Sequence, residues 1–537
     1  MIQLFIFNNA SKAANYGIGT YVEQLAYGLN ETGLYRITIV ELHANVKDVS
    51  IMKDDYGVLH FQIPATSDLI ETEAYCHSVF YIIARHIGQS CNKIFFQFNY
   101  FQHIHLALLL KAQYPYSRIL LTVHYLHWGF ELNGNQNLFE QIVEGYYNTK
   151  DDTVKRVLTS FNIERSFIRL ADEVIVLSGR TKALIKSKYG IHEDKLWLIY
   201  NGLKDISSKK EFSSSKKNIV FVGRLDDNKG LEYLLKAFEL LHKNYEDISL
   251  IIVGDGDFQK YLSKCRNLQG RVCFLGRVEH DEIEEIYANA YIGVIPSFNE
   301  QCSYTVIEMM RRGIPVIGTD STGLAEMFVE CPELIVHIDE LNFVKHDFIA
   351  QLSSKIERLC KDDACFSKAS RIVRKIYLKN YKLSDMICHI NAVISSSLKR
   401  TNYIVSSDYL KEMDRIMIQM INMRPDIDVD FFGVSGIGFY MWYRVLSTRK
   451  KNKDRQQCAL LQENLIYYLD WLYDLSKVTS LPGEIIPLLQ EMSNKKFYPS
   501  KIKLIITLSS NSLNNINCTI TDIDIIKNSL RMCKTKL

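Results

Sequence analysis

The chain has 537 residues, of which 47% are hydrophobic and 23% are charged. This is the composition of a soluble globular protein, and the length suggests about three domains. The formal net charge of +3 is nearly balanced, which argues against nucleic acid as a partner, because nucleic acid selects a clustered basic face. The twelve cysteines form no CxxC pair, so we expect reduced thiols and no zinc site.

The amino terminus, MIQLFIFNNASK, has no basic segment ahead of its apolar residues, and this apolar run is too short for a signal peptide. No other run approaches the roughly 20 apolar residues that span a bilayer. We therefore predict a cytoplasmic protein, and peripheral contact with the inner face of a membrane stays open.

Over the first 200 residues, short apolar runs alternate with amphipathic stretches. This alternation predicts a parallel sheet covered on both faces, and thus a Rossmann-like domain over residues 1–203. The predicted strands are Gln3–Phe7, Arg36–Val40, Val58–Ile63, Lys93–Phe98, Arg118–Val123 and Glu173–Leu177.

Several residues of this part are predicted at the carboxyl ends of its strands. Gly17 and Gly19 follow the first strand, just before a predicted helix, where glycine lets the backbone approach a ligand and a helix amino terminus suits phosphate. His124 ends the strand 118–123, with His127 as a competitor, and Ser178 follows the strand 173–177. These side chains are candidates for the edge of a cleft.

The Ser/Lys-rich run 207–217 reads as a linker or surface loop, after which a second series of alternating elements begins. We predict a second Rossmann-like domain over 204–398 and an appended, mainly helical domain over 399–537, with one strand-like run at Lys501–Leu508. The predicted strands of the second domain are Asn218–Val222, Ser249–Val253, Val272–Leu275, Tyr291–Ile295, Val316–Gly318 and Glu333–Val336.

Two motifs of the second domain carry charged side chains. In VFVGRLDDNKGL, Arg224 follows a strand and Lys229 is predicted to open a helix, which places a planar cation and a point charge at one sheet edge. In the stretch 296–326, Glu300 follows a strand and Glu308 lies in the next helix. Ligands of open α/β sheets bind at this edge.

These segments resemble the retaining glycosyltransferases of family 4, which have the GT-B fold of two Rossmann-like domains facing a cleft. The likeness extends from residue 1 to about 398 and includes the E-x7-E signature, the G-R-x4-K-G segment and the glycine loop after the first strand. It implies transfer of a hexose from a nucleoside-diphosphate sugar to an acceptor hydroxyl, with the anomeric configuration retained.

The resemblance also assigns roles to residues of this chain. Arg224 and Lys229 would neutralise the leaving diphosphate, Glu308 would bind the ribose, and Glu300 and His124 would position the donor sugar. The predicted catalytic residues are Glu300, His124, Arg224 and Lys229. The predicted nucleotide-sugar-binding residues are Gly17, Gly19, Arg224, Lys229, Gly254, Arg277, Val278, Glu300, Thr305, Glu308 and Thr322.

The family generally uses Arg and Lys in place of a divalent ion, so no metal and no cofactor beyond the donor are expected; the Asp-x-Asp of DIDVD (426–430) reads as a solvated turn. Thr322 is predicted to cap the helix that follows it. Cys302 has no evident base and is not expected to act as a nucleophile.

The acceptor is left open between a glycan, a lipid-linked glycan and a peptide. The alternative function is a non-catalytic GT-B-fold subunit that recognises a nucleotide-sugar or a peptide partner.

Overall fold

In the computed structural model, the described residues fall into two compact units. The first unit comprises residues 1–67, 93–101 and 118–400 and contains two β-sheets. The described residues are 1–10, 17–65, 73–87, 93–114, 117–147, 151–191, 193–206, 217–268, 270–339, 343–399, 469, 489–490, 493–494, 500, 502–503, 505 and 507.

The amino-terminal half is built on an eight-stranded sheet with the order β3-β4-β2-β1-β5-β6-β7-β8. Its strands are β1 (Ile2–Asn9), β2 (Tyr35–Ala44), β3 (Ser50–Lys53), β4 (Leu59–Pro64), β5 (Ile94–Phe98), β6 (Arg118–Val123), β7 (Glu173–Val176) and β8 (Leu196–Leu198). All neighbours run parallel except β3, which pairs antiparallel with β4 at the edge. The central strands β5 and β6 are buried along their whole length, as in a sheet covered on both faces.

The helices of this part of the chain are α1 (Gly17–Asn30), α2 (Glu73–Ala84), α3 (Ile104–Gln113), α4 (Trp128–Glu131), α5 (Gln136–Val143), α6 (Asp152–Leu170) and α7 (Gly179–Lys188). Of these, α2 and α3 belong to the second compact unit, where they pack against each other.

The carboxyl-terminal half is built on a six-stranded parallel sheet with the order β11-β10-β9-β12-β13-β14. Its strands are β9 (Lys217–Val222), β10 (Ile248–Val253), β11 (Val272–Gly276), β12 (Ala290–Ile295), β13 (Val316–Thr319) and β14 (Ile335–Val336). Its helices are α8 (Leu231–Leu241), α9 (Phe258–Leu262), α10 (His280–Asn289), α11 (Tyr304–Arg311), α12 (Leu324–Met327), α13 (Lys345–Lys361) and α14 (Asp363–Asn380). The predicted α/β fold with two doubly wound sheets is confirmed.

The chain crosses between the halves at two adjacent places. Leu203 N donates to Tyr381 O at 3.0 Å, and Leu383 N donates to Leu203 O at 2.8 Å, so the outgoing and returning segments are bonded side by side. After the second crossing, α15 (Leu383–Lys399) packs against α1, where a Cβ on Gly28 would lie 2.6 Å from the Ile387 side chain. The last helix of the core therefore returns to the first half.

The predicted strands differ from the observed ones mainly at their ends. The short strands β3 and β8 were not predicted, and Pro332–Leu334 forms a 3₁₀ turn ahead of β14, so the last strand is shorter than predicted. The strand-like run Lys501–Leu508 is wrong, because the described positions 502, 503, 505 and 507 are helical. All the other described positions beyond 399 are helical too, and most of the predicted appended domain, including DIDVD, lies outside the described residues.

In the part of the chain that the structure describes, no helix combines the length and the apolar character needed to span a bilayer.

Candidate active site

In the second sheet, the chain adds successive strands on one side of β9 up to β11 and then on the other side from β12. The neighbours β9 and β12 therefore mark the point where the strand order reverses. The loop after β9 carries Arg224, and the loop after β12 carries Glu300. Ligands of doubly wound sheets bind outside the carboxyl ends of the strands at this kind of switch point. The topology thus brings the charged residues of the two motifs to one place.

An ion pair joins the two loops directly, because the Lys229 ammonium binds the Glu300 carboxylate. Both side chains are mostly buried, with 19% and 15% of their surface exposed. A pair with so little solvent is screened far less than a surface pair. In this arrangement each side chain is held in place by the other, and the two charges balance.

The local backbone explains how Lys229 reaches the site. Lys229 ends a 3₁₀ turn whose start is capped by Asp226, and α8 begins only at Leu231. The prediction that Lys229 opens the helix is therefore wrong by two residues. Gly230 lies between them with φ +68°, and a Cβ there would lie 2.1 Å from the carbonyl oxygen of Pro296. Only glycine permits this approach of the two loops.

Arg224 lies at the mouth of the same site. Its guanidinium pairs with Asp226 at 3.1 Å and lies 6.0 Å from the ring centroid of Phe130, which belongs to the amino-terminal half. About a third of the Arg224 side chain is exposed, so it can turn toward a ligand.

Glu308 lies on α11, one turn past the start of the helix. Its Oε2 accepts a hydrogen bond from the hydroxyl of Tyr287 at 2.6 Å, and Tyr287 also bonds the side chain of Thr305. Tyr287 is fully buried, and burial raises its pKa well above the ordinary value, so it stays a donor. One Glu308 oxygen is thus fixed by the protein.

Thr322 has a role other than the predicted one. Its backbone is left-handed, with φ +39°, and its Oγ1 bonds both the backbone N and the backbone O of Glu300, with Glu300 N donating at 2.8 Å. The following helix α12 has four residues and receives no side-chain cap. Thr322 therefore holds the Glu300 loop and does not cap a helix.

The predicted nucleotide-sugar-binding residues Gly254, Arg277 and Val278 lie near the edge of the second sheet, after β10 and β11. Gly254 has φ +137°, and a Cβ on it would lie 1.9 Å from the carbonyl oxygen of Gly223, so the tight approach of two strand ends needs glycine. Gly254 N also donates to Gly276 O at 2.8 Å. The next residues, Arg277 and Val278, are exposed and partly exposed on the loop after β11.

In the amino-terminal half, Gly17 and Gly19 are not ahead of the helix, as predicted, but in its first turn. A Cβ on Gly17 would lie 3.8 Å from the ring of Tyr304, the first residue of α11. The amino termini of α1 and α11 therefore meet across the two halves, and two such helix ends together favour an anion.

His124 follows β6, as predicted, and its ring is half-buried. Its Nε2 lies 2.9 Å from Asn99 Oδ1, and Tyr21 packs edge-on against it with ring centroids 4.7 Å apart. The loss of water around the ring lowers the His124 pKa from 6.5 to about 3. His124 is consequently neutral at physiological pH. The competitor His127 has a different partner, because its Nε2 lies 3.3 Å from the Glu131 carboxylate on the next turn.

The segment after His124, which contains α4, meets the loop before Glu300. A Cβ on Gly129 would lie 2.5 Å from the Asn299 amide, and one on Gly134, whose φ is +75°, would lie 1.9 Å from Phe298 O. These two contacts bring the histidine loop of one half against the glutamate loop of the other.

A second bridge between the halves lies at the start of α7. Ser178 and Thr181 both donate to Gln301 Oε1, the former at 3.0 Å. Asn201 Nδ2 donates to Cys302 O at 2.7 Å. Burial raises the Cys302 pKa to about 12, which keeps the thiol protonated and argues against a nucleophile.

Comparison with known proteins agrees with this geometry. Residues 204–377 match the family model of glycosyl transferases group 1, and residues 16–205 match that of glycosyltransferase family 4. The chain belongs to the group 1 glycosyltransferases of GT-B fold.

Two relatives illustrate the likeness of this chain to other members of the family. An uncharacterized glycosyltransferase of Methanocaldococcus jannaschii is 35% identical over 172 residues, which are 29% of this chain and 44% of that protein. The O-antigen chain mannosyltransferase RfbU of Salmonella typhimurium is 26% identical over 221 residues, or 40% and 60% of the two chains. The chain spans about half the length of the first curated relatives it matches.

Solved structures show the fold. A sucrose-phosphate synthase of Thermosynechococcus elongatus aligns with a TM-score of 0.59 at 19% identity, covering 75% of this chain and all of the other. The Anabaena protein HepE, solved in complex with UDP-glucose, aligns with a TM-score of 0.52 at 16% identity, covering 74% and 100%.

Sequence patterns did not point to several residues that shape the candidate site. Asn99 bonds His124, Tyr287 bonds Glu308, and Glu326 bonds the start of α7. Each is a polar residue with no motif of its own, and only the tertiary contact reveals it. Within the described ranges, no three His, Cys, Asp or Glu side chains gather as a metal site.

Proposed function

We propose that the protein is a retaining glycosyltransferase that moves a hexose from a nucleoside-diphosphate sugar to an acceptor hydroxyl. The Lys229–Glu300 ion pair at the switch point of the second sheet supports this proposal most directly. The pair supplies a cation for phosphate and a carboxylate for sugar hydroxyls, side by side.

In the proposed complex, the donor replaces each partner of this pair. The diphosphate takes the place of Glu300 as the partner of Lys229, and Arg224 turns from Asp226 to the same phosphates. A sugar hydroxyl donates to Glu300 in turn. Glu308, whose Oε2 accepts from Tyr287, would bind the ribose hydroxyls.

In the reaction, the bond between the anomeric carbon and the diphosphate oxygen breaks, and a bond from that carbon to the acceptor oxygen forms on the same face. The proton of the acceptor hydroxyl passes to the leaving diphosphate, so the protein needs no separate base. Lys229 and Arg224 stabilise the charge that develops on the departing oxygen. We propose this route without a protein nucleophile and without a metal ion.

The acceptor is proposed as a hydroxyl of a glycan or a lipid-linked glycan, and a peptide hydroxyl is an outcome to be tested beside them. The match to an O-antigen chain mannosyltransferase supports a glycan acceptor. Purified protein with its donor should be offered one acceptor of each class, and the product should be identified by mass.

The test of the donor reaction is a panel of UDP-glucose, UDP-galactose, UDP-N-acetylglucosamine and GDP-mannose, with release of nucleoside diphosphate as the readout. We expect turnover of one donor by the wild type and a large loss in Glu308→Ala. Glu330→Ala, which removes a surface carboxylate paired with Lys375 and Lys379, is the matched control and should keep the rate. No turnover and no nucleotide binding would instead favour the non-catalytic subunit.

Lys229→Ala tests the leaving-group role separately. Losing one preorganised charge at the departing oxygen should lower kcat by about 10²–10³-fold. Lys236→Ala, at an exposed position on α8 paired with Glu232, is its control.

The configuration of the product follows from the coupling constant of its anomeric proton, and an inverted product would contradict the retaining mechanism.

A further inference from the structure

Asn99 is a buried amide at the switch point of the first sheet, where it follows β5 beside the end of β1. Its Nδ2 donates to the backbone carbonyl of Phe7 at 2.9 Å. A carbonyl oxygen can only accept, so the amide has one orientation, and its Oδ1 must face His124.

A second amide holds the first in place. Gln97 Nε2 donates to Asn99 Oδ1 at 3.0 Å, and Asn99 Nδ2 donates to Gln97 Oε1 at 3.0 Å. Gln97 is itself oriented by the carbonyl of Phe98, at 3.3 Å, and it is fully buried. Rotation of either amide would break bonds in both, which makes the arrangement rigid.

The orientation of Asn99 decides where the His124 proton lies. Asn99 Oδ1 can only accept, so His124 Nε2, at 2.9 Å, carries the hydrogen and Nδ1 keeps its lone pair. In the described part of the chain, His124 Nδ1 has no hydrogen-bond partner, and it is not a fully buried atom. It is therefore accessible to solvent or ligand.

The surroundings of the His124 ring lead to the proposed donor site. Tyr21 packs against the His124 ring, and Gly17, the first residue of the same helix α1, lies against Tyr304, which starts α11 four residues after Glu300. Gly129, in α4 shortly after His124, lies against Asn299, which directly precedes Glu300.

We propose that Asn99 is a positioning residue that holds His124 as its Nε2–H tautomer, so that Nδ1 accepts a hydrogen bond from a hydroxyl of the donor sugar. The inference rests on the proposed function, which puts the donor sugar at His124. An unprotonated nitrogen repels carboxylate and phosphate oxygens, so this position selects a neutral hydroxyl group.

The tautomer itself is the first readout, and it does not depend on activity. In the full chain labelled with ¹⁵N-histidine, the His124 signals are assigned by their loss in His124→Gln from among the 14 histidines. We expect the neutral Nε2–H pattern in the wild type and a mixture of tautomers in Asn99→Leu. A wild-type Nδ1–H pattern, or an unchanged pattern in Asn99→Leu, would overturn the proposal.

Asn99→Asp is the second variant, because it keeps the size of the side chain if Asn99→Leu fails to fold. A carboxylate against Nε2–H stabilises the imidazolium and should raise the His124 pKa. The ring should then be protonated at a higher pH than in the wild type, and an unchanged titration would contradict the inference. Tyr100→Phe, the next residue, whose hydroxyl bonds Asn8 Oδ1 at 3.3 Å, should leave the His124 signals unchanged.

Kinetics with the donor that turns over give the second readout. Asn99→Leu should lower kcat/KM about tenfold, the factor that corresponds to one hydrogen bond. Asn99→Asp should lose kcat/KM as the pH falls through the raised pKa of His124, where the wild type has no such inflection. Turnover with the expected tautomer but unchanged kinetics in both variants would refute the sugar contact. The absence of turnover with any donor would refute the proposed function and leave the tautomer result standing.

Discussion

The carboxylate of Glu326 caps the start of α7 by accepting a hydrogen bond from the backbone N of Gly179 at 2.8 Å. The same carboxylate accepts from Arg180 N at 2.6 Å. Glu326 belongs to the carboxyl-terminal half and α7 to the amino-terminal half, so a helix end in one half is satisfied by a side chain from the other. A negative charge suits this position because of the helix dipole.

Glu326→Ala should therefore weaken the contact between the halves. Loss of a capping carboxylate typically costs about 0.5–2 kcal/mol, and we expect a decrease of that size in the free energy of unfolding. Urea unfolding followed by circular dichroism is the measurement. Glu330→Ala serves again as the control, and equal midpoints for the two variants would show that the cap contributes nothing.

Gly134 and Gly145 form a matched pair for testing the contact between the histidine and glutamate loops. Both have left-handed backbones, with φ +75° and +89°, but only a Cβ on Gly134 meets an atom, Phe298 O at 1.9 Å. Gly145→Ala should show only the backbone strain of about 1 kcal/mol, whereas Gly134→Ala should lose more stability and also donor turnover. Equal losses in both variants would mean that the loops need not touch.

Glu164 should make stability depend on pH. It is 2% exposed, accepts from His127 N at 2.6 Å and from the Tyr189 hydroxyl at 2.7 Å, and burial raises its pKa from 4.5 to about 7. Between these two values the folded state keeps a proton that the unfolded state has lost, so this contribution is present below pH 4.5 and disappears as the pH rises to about 7.

The Glu164→Gln variant removes this titration. Relative to the wild type, its free energy of unfolding should rise with pH between 4.5 and 7, by an amount on the order of 3 kcal/mol. Urea midpoints measured across that range give the comparison, with Glu31→Gln at an exposed position on the surface as the control. A constant difference between wild type and Glu164→Gln would show that Glu164 is already charged when folded.

Tyr287→Phe removes the hydroxyl that holds Glu308 and leaves the ring in the core. If Glu308 binds the ribose equally in the ground state and in the transition state, the KM for the donor should rise about tenfold with little change in kcat. Tyr291→Phe, whose hydroxyl bonds Leu359 O at 3.3 Å, is the control. A lower kcat at unchanged KM would instead place Tyr287 in the chemical step.

The sequence indicated the sheets and the charged residues of the second half well, because each follows a continuous apolar strand. Arg224 and Glu300 stand after β9 and β12, and the strand order alone brings them together. The starts of the helices were less predictable. Gly17 and Lys229 were each misplaced by part of a turn, since a glycine fits a helix start, a helix end and a left-handed turn equally well.

The contacts that hold the site depend on tertiary structure and so left no local pattern. Asn99 and His124 are 25 residues apart, and Glu326 and Gly179 are 147 apart. Thr322 looked like a helix cap because threonine is a common one, yet its hydroxyl bonds the Glu300 backbone instead.

The hydrogen bonds between Leu203 and the segment around Tyr381 have a mechanical consequence. Two connecting segments at separate points would restrict rotation between the halves, but two adjacent segments form a single hinge. A Cβ on Gly202 would lie 2.7 Å from Lys382 O, so the two segments of this hinge are tightly packed. Rotation of one half about this axis would change the spacing of those parts of the halves that lie away from it, while the paired segments themselves would move little.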